Sequence, residues 1–257
     1  MTEAVEVAIV ASAFGADAVR TAGHRKWAEA SRRAGAAGFE VRRELFGYEA
    51  DAAPTRLATL GKQIAELGLW SVHSSPASLY GEHGQLDTAA LRRAVDEAAA
   101  LGARFLKLQL GGFAREAHGE AIAAQLRGAN VRLVVENGQL TQGGSLHQFV
   151  DLFDALKREG HAQLLGMTFD VGNWAWCGVP ALDAAVALAP YVEYVHCKIA
   201  AGEGARRFAA APAADDAHFA AVLARLPRDV PRGIEFPFDA ACIHGDATRR
   251  VAWLAAA

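Results

Sequence analysis

Four residues with metal-binding side chains stand at the carboxyl ends of short apolar runs in the second half of the chain. Glu136 ends VRLVVE, Asp170 ends LLGMTFD, His196 lies in YVHCK and Glu235 follows RGI. One acid at a strand end is ordinary turn chemistry, but four such residues on successive parallel strands would converge on one place. Three carboxylates and an imidazole, without a thiolate, favour a divalent cation of the Mn²⁺, Mg²⁺ or Co²⁺ type, with Zn²⁺ as an alternative.

The elements that would position these residues recur along the whole chain. Alanine-rich segments with helical spacing separate eight runs of strand-forming residues. Pro54 can occupy the first turn of a helix that ends before Gly68. Asp87 or Thr88 can cap the next helix, and Ser145 can cap a later one. The predicted strands cover residues 5–10, 39–45, 69–74, 104–110, 131–136, 165–170, 192–198 and 233–236.

Strands that alternate with helices are parallel, and eight such units in 257 residues match the size of a closed (β/α)8 TIM barrel. A doubly wound open sheet is the alternative. In RFLKLQL, Leu106 and Leu108 share one face while Lys107 and Gln109 share the other, which favours a barrel with a mixed interior. No linker divides the chain, so we predict a single domain over residues 1–257, with long loops at residues 73–85 and 200–216.

The composition excludes several classes of protein. A hydrophobic share of 52% provides a large core, and a formal charge of -3 without a Lys/Arg block argues against nucleic acid as the main partner. Three well-separated cysteines without a C-x-x-C pair indicate a reducing compartment. No apolar window reaches about 18 residues, and the amino terminus lacks the basic flank of a signal peptide. We therefore expect a cytoplasmic protein that binds neither nucleic acid nor membrane.

The order of the four residues, within EN, FDVGN, VHCK and IEFPF, resembles the xylose isomerase-like barrels known as sugar phosphate isomerases and epimerases. The resemblance covers most of the chain and is most specific in its second half. It implies that Glu136, Asp170, His196 and Glu235 hold one catalytic divalent ion, with Mn²⁺ ahead of Mg²⁺, Co²⁺ and Zn²⁺. It also implies that Glu136 and Glu235 double as acid and base.

The chain departs from the ketose 3-epimerase branch of that family in two places. That branch has a His three residues after the metal-binding Asp, where this chain has Asn173. It also has an Arg shortly after the metal-binding His, where this chain has Lys198 nearby and Arg206 further along. These differences concern the epimerase branch and leave the resemblance to the wider family intact.

The chemistry of such a site follows from its ligands. A divalent ion chelated by a substrate carbonyl and an adjacent hydroxyl acidifies the neighbouring C–H and stabilises an enediolate. Two bases on opposite faces would invert a carbon centre, whereas one shuttling base would interconvert aldose and ketose. We expect a metal-dependent isomerase or epimerase of carbohydrate metabolism, with a sugar or sugar-like ketone as its partner and a homo-oligomer as an open alternative to a monomer. A dehydratase of a sugar or cyclitol ketone is the alternative activity.

Seven other residues are candidates for substrate binding, and the sequence also allows a structural role for each. His73, at the end of SVH, would contact substrate or be a hydrogen-bonded core histidine. Glu44, in VRRELF, would bind a hydroxyl group or pair with Arg42 or Arg43. The candidates are His73, Lys107, Lys198, Glu44, Asn173, Trp174 and Arg206.

The other candidates could also bind substrate or have a structural role. Lys107 would bind a carbonyl or phosphate group or form a buried ion pair, and Lys198 would stabilise an oxyanion. Trp174 would form an apolar wall against a sugar ring or pack within the core. Asn137 and Asn173 could instead hold the ligand side chains in place.

Three rival functions fit the sequence less well. A DNA-repair nuclease of the endonuclease IV type shares the barrel and the Glu, Asp, His and Glu positions, but its three zinc ions need further ligands. His73 would serve as one of them, and Asp216 and His218 are a faint match for another pair. A non-catalytic binding protein would not require two matched carboxylates. A dinucleotide site would require a G-x-G-x-x-G fingerprint, which Gly111 and Gly112 do not supply.

Overall fold

A computed structural model describes residues 5–257, in which eight parallel strands close into a barrel surrounded by helices. The first seven barrel strands are β1 (Val7–Val10), β2 (Gly38–Arg42), β3 (Trp70–Tyr80), β4 (Phe105–Gly111), β5 (Arg132–Glu136), β6 (Gly166–Asp170) and β7 (Val192–Cys197). An antiparallel hairpin of β8 (Ile199–Ala201) and β9 (Phe208–Ala210) precedes the last barrel strand, β10 (Arg232–Ile234). β10 pairs with β7 and β1, which closes the sheet. The predicted single-domain (β/α)8 barrel is therefore confirmed.

Several helices begin or end next to the residues that the sequence suggested as helix caps or terminators. α3 starts at Pro54, and Gly68 follows its end with a φ of +73°. The Asp87 side chain accepts a hydrogen bond of 2.9 Å from the backbone N–H of Ala90 and so caps α4. Ser145 precedes α6, as predicted, but its side chain makes no capping bond. The helices are α1 (Ala16–Ala22), α2 (His24–Arg33), α3 (Pro54–Glu66), α4 (Thr88–Leu101), α5 (Gly119–Leu126), α6 (Leu146–Arg158), α7 (Ala181–Leu188), α8 (Ala217–Leu223) and α9 (Ile243–Ala256).

All eight predicted strands are present, and the two predicted loops are partly wrong. β3 continues to Tyr80 after a register shift against β4 between Ser74 and Ser78, so residues 73–80 are strand and not loop. This extension could not be predicted because its sequence, SSPAS, lacks the apolar pattern of a strand. Residues 200–216 contain the β8–β9 hairpin. Among the described residues, no helix has the length and apolar character needed to cross a membrane.

The barrel interior is apolar at its amino end and charged at its carboxyl end. Leu106, Leu108 and Leu110 face the helices and are fully buried, each stabilising the fold by about 1.5–3 kcal/mol. Lys107 and Gln109 point inward, as the alternation in RFLKLQL predicted. The amino end is filled by a separate apolar cluster, which places the polar groups at the rim where barrel enzymes bind substrate. This cluster consists of Ala8, Val72, Phe105, Val134 and Tyr194.

The contact between α2 and β2 should make folding stability depend on pH. His24 is buried, its Nε2 accepts a hydrogen bond from the backbone N–H of Arg42 at 3.3 Å, and its ring lies 4.5 Å from that of Phe46. Burial lowers the pKa of His24 from 6.5 to about 4. The folded protein therefore binds this proton more weakly than the unfolded chain, and stability present above the unfolded pKa is lost as pH falls towards 4. This group should account for a loss of roughly 3 kcal/mol across that window.

Urea unfolding at several pH values from neutral to about 4 would measure this loss. His24→Gln keeps a hydrogen-bond acceptor without a titrating group, so its free energy of unfolding should fall less steeply with acid. Equal slopes for the two proteins would show that His24 does not cause the effect.

Candidate metal centre

The structure brings the four strand-end residues together inside the carboxyl end of the barrel. Glu136, Asp170 and His196 lie on the neighbouring strands β5, β6 and β7, and Glu235 directly follows β10. One potential ligand atom from each residue lies within 4.8 Å of the others. His196 Nδ1 is 2.7 Å from Glu136 Oε1, 2.9 Å from Glu235 Oε2 and 3.9 Å from Asp170 Oδ2. We call these four residues the central cluster.

In each residue of the central cluster, the atom that faces away from the others is already held. Asp170 Oδ1 accepts hydrogen bonds from the backbone N–H groups of Gly172 and Asn173, both at 3.0 Å. Glu136 Oε2 accepts hydrogen bonds from Lys107 at 2.5 Å and from Gln109 at 2.7 Å. His196 Nε2 lies 2.8 Å from Glu40 Oε2, and Glu235 Oε1 accepts a hydrogen bond from Arg42 at 2.5 Å. Each side chain is thus oriented with its other polar atom towards the centre.

The inward-facing atoms fit a divalent cation. Glu136 Oε1, Asp170 Oδ2 and His196 Nδ1 are buried atoms that face one another, and their polar contacts are the ion pairs within the cluster and with Lys198. Several carboxylates buried this close together are costly unless cations compensate them. Ligands that share one ion at about 2.1 Å lie about 3–3.5 Å apart, and His196 Nδ1 lies 2.7–3.9 Å from the facing oxygens of the other three residues. The donor set of three carboxylates and one imidazole suits a hard or borderline ion.

Charge balance leads to the same conclusion. Lys198 Nζ lies 2.6 Å from Asp170 Oδ2 and 2.7 Å from Glu235 Oε2, and Arg42 is shared between Glu235 and Glu44. The carboxylates of this charged group nevertheless outnumber its lysines and arginine by two, which a divalent ion with a neutral imidazole would compensate. The five carboxylates are Glu40, Glu44, Glu136, Asp170 and Glu235, and the three cations are Arg42, Lys107 and Lys198.

The pKa values of the three carboxyl groups in the central cluster reflect burial and the nearby charges. Burial raises the pKa of Asp170 to about 7, and Lys198 offsets that effect only in part. Burial also raises the pKa of Glu136, but Lys107 and His196 outweigh it and hold the pKa well below its usual range. Lys198, His196 and Arg42 do the same for the pKa of Glu235. Both glutamates are therefore carboxylates at neutral pH and can act as bases.

Two asparagines hold the ends of β5 and β6 together. Asn137 Oδ1 accepts from the backbone N–H of Asp170 at 2.8 Å, and its Nδ2 donates to the Asp170 carbonyl at 2.9 Å. Asn173 Nδ2 donates to the Asn137 carbonyl at 2.8 Å, while its Oδ1 accepts from Gln139 at 3.2 Å. The Asn173 amide is thus hydrogen-bonded within the protein, which favours the alternative that both asparagines hold the central cluster in place, and its contact with substrate stays a prediction.

Three of the other predicted substrate contacts border the central cluster. Lys107 and Lys198 point into the barrel and pair with its carboxylates. Glu44 pairs with Arg42 at 2.6 Å, as the structural alternative predicted, but its Oε2 has no hydrogen-bond partner. An unused acceptor beside the cluster keeps Glu44 a candidate for binding a substrate hydroxyl group.

Three other candidates lie away from the central cluster, and their contact with substrate stays a prediction. His73 alternates with the inward-facing Val72, so it faces α4, where its Nε2 lies 3.0 Å from Glu97 Oε2. Trp174 is fully buried in the core between the barrel and the helices, with its ring centroid 5.5 Å from that of Phe169. Arg206 is exposed in the turn between β8 and β9.

Two inward-facing charged residues of β2 lie outside the sequence motifs that predicted the site. Glu40 and Arg42 both contact ligands of the central cluster, although neither stands in the four strand-end motifs. Their signal is the alternation in GFEVR, where buried Phe39 and Val41 face the helices and the charged residues between them must face the interior. Two charged residues on the inner face of a barrel strand indicate a polar lumen.

Comparisons with known proteins agree with this architecture. Residues 28–237 match a family model described as a xylose isomerase-like TIM barrel. No curated protein sequence matches the chain. One similar solved structure is a D-psicose 3-epimerase in the presence of D-fructose, with 13% identity and a TM-score of 0.66 over 96% of this chain and 97% of that chain. A D-allulose 3-epimerase from Methylomonas sp. in complex with D-allulose has 16% identity and a TM-score of 0.65 over 99% of this chain and 96% of that chain. An L-ribulose 3-epimerase has 19% identity and a TM-score of 0.67 over 98% of this chain and 95% of that chain. Similarity at these identities shows a shared fold.

Proposed function

Because the chain belongs to the xylose isomerase-like TIM barrel family, we propose that it is a metal-dependent enzyme that moves a proton beside the carbonyl group of a sugar or sugar-like ketone. The observation that carries this proposal is the convergence of one potential ligand atom from each of Glu136, Asp170, His196 and Glu235. Sugar 3-epimerases with the same fold, whose structures include D-fructose and D-allulose, support the substrate class.

The central cluster would hold one divalent ion, with Mn²⁺ ahead of Mg²⁺, Co²⁺ and Zn²⁺. Such an ion would polarise the substrate carbonyl and make the neighbouring C–H more acidic. Within residues 5–257, no second group of three or more His, Cys, Asp or Glu residues with converging ligand atoms is found. That finding supports a single ion and argues against the three-zinc nuclease alternative.

The protein's own carboxylates would move the proton. Glu136 and Glu235 stand on β5 and after β10, with β6 and β7 between them, so they flank Asp170 and His196 from two sides. One glutamate would remove the proton as a carboxylate, while the other, after taking a proton from solvent, would deliver it to the opposite face of the same carbon. Lys107 and Arg42 would orient the two side chains. Two bases arranged in this way favour epimerisation over a one-base shuttle.

Metal removal combined with solvent labelling tests this function. Protein stripped with a chelator should be inactive on a panel of ketoses and aldoses, and added Mn²⁺ should restore turnover. In D₂O, the product should acquire one deuterium on the carbon beside the carbonyl group, as measured by mass spectrometry and NMR.

Other outcomes of this experiment would point elsewhere. A product lighter by one water would identify the dehydratase, and three tightly bound zinc ions per chain would identify the nuclease type. Metal-loaded protein that exchanges no deuterium on a broad panel would contradict the proposal.

A further inference from the structure

Glu40 is a fully buried glutamate that belongs to none of the predicted site motifs. It lies on β2 inside the barrel, across the lumen from β7. An ionised carboxylate at such a depth costs several kcal/mol unless charged partners compensate it. Its partners should therefore indicate what it does.

The two oxygens of Glu40 face two different donors. Oε2 lies 2.8 Å from His196 Nε2, and Oε1 lies 3.7 Å from Lys107 Nζ. Lys107 in turn contacts Glu136 at 2.5 Å, and Glu136 lies 2.7 Å from His196 Nδ1. Glu40, Lys107, Glu136 and His196 thus form a closed ring of alternating acidic and basic groups.

This ring determines which nitrogen of His196 is available to the centre. A carboxylate beside Nε2 accepts its N–H, so the lone pair that can bind a cation is on Nδ1. Nδ1 is the nitrogen that faces Glu136 Oε1 and Glu235 Oε2. The ring also links the orientation of His196 to that of Glu136, because both contact Glu40 directly or through Lys107.

We propose that Glu40 is a positioning residue that fixes His196 with Nδ1 towards the ion and that orients Glu136 through Lys107. This inference rests on the proposed function, since it concerns the ion that the central cluster would hold. Only a carboxylate places a negatively charged oxygen beside both groups, at hydrogen-bond distance from His196 Nε2 and at ion-pair distance from Lys107 Nζ. An amide must turn its NH₂ group towards either the His196 N–H or the Lys107 ammonium.

Isothermal titration with Mn²⁺ tests the inference without relying on turnover. Glu40→Gln should raise the Mn²⁺ dissociation constant about 10–100-fold. Glu40→Asp retains both acceptors on a shorter side chain, is expected to fold, and should show a smaller loss. Thermal unfolding with and without Mn²⁺ should show less stabilisation by the ion in both variants.

The chain contains a matched control in Glu97, a buried glutamate beside a histidine on the outer side of the barrel. Glu97 Oε2 lies 3.0 Å from His73 Nε2. Within residues 5–257, the ion pairs of Glu97 are with Arg43 and His73, and none joins it to the central cluster. Glu97→Gln should therefore leave the Mn²⁺ dissociation constant within about twofold of the wild type, because it removes a similar pair elsewhere.

The outcomes separate this inference from the function on which it rests. Wild-type protein that binds none of Mn²⁺, Mg²⁺, Co²⁺ and Zn²⁺ would overturn both. Wild-type protein that binds Mn²⁺ while Glu40→Gln binds it equally well would overturn the role of Glu40 alone. An equal loss of affinity in Glu97→Gln would also overturn it, because the effect would then reflect general destabilisation.

Discussion

Replacing Glu136 by Gln should reduce kcat on a confirmed substrate by roughly a hundred- to ten-thousandfold, the range expected for loss of a general base. The amide is similar in size to the carboxylate and can still accept one hydrogen bond from Lys107 or Gln109. It cannot accept a proton from carbon at neutral pH. Steady-state kinetics at saturating Mn²⁺, with the bound metal quantified, would distinguish loss of the base from loss of the ion.

Glu235→Gln provides a sharper test of the two-base arrangement. With one base left, the epimer whose proton faces Glu136 should still exchange that proton with D₂O but should not be converted into the other epimer. Glu97→Gln, which removes a buried carboxylate outside the central cluster, should keep near wild-type turnover. Full activity of Glu136→Gln would show that another group removes the proton, and inversion by Glu235→Gln would refute the two-base mechanism.

The strand and helix periodicity was sufficient to predict the barrel, because each run of apolar residues must pack either on the helix layer or inside the barrel. The convergence of Glu136, Asp170, His196 and Glu235 could be predicted for the same reason, since the carboxyl ends of parallel strands meet at one rim. The extension of β3 could not be predicted. It depends on pairing with β4 after a register shift, which is a tertiary contact with no local apolar pattern.

The candidate substrate contacts that lie away from the central cluster share a physical cause. His73 stands at the end of a predicted strand, but its inward or outward direction is set by its alternation with Val72. Trp174 and Asn173 follow the Asp170 strand end, yet the chain turns there so that the indole enters the core and the amide bonds to the backbone of Asn137. Glu40 lies in the middle of β2, so the strand-end motifs do not include it, whereas the alternation within GFEVR predicts its inward direction.

Asp170→Asn should lower the affinity for Mn²⁺ about a hundred- to a thousandfold, because it removes one buried charge that faces the ion. Asn keeps an oxygen that can accept from the backbone N–H groups of Gly172 and Asn173, but it replaces the oxygen that lies 2.6 Å from Lys198 Nζ by a donor. Lys198 keeps its contact with Glu235 at 2.7 Å, so the metal-free variant should fold but unfold at a lower denaturant concentration than the wild type, while titration calorimetry shows weak metal binding.

Asp87→Asn is the matched control for this substitution. Asp87 also accepts a backbone N–H through Oδ1, from Ala90 at 2.9 Å, but it does so at the start of α4 and in an exposed position. Asn is as good a helix cap as Asp, so this variant should retain wild-type metal affinity and stability. If Asp170→Asn bound Mn²⁺ as tightly as the control does, Asp170 would not be a ligand. Its buried carboxylate would then serve only as the partner of Lys198.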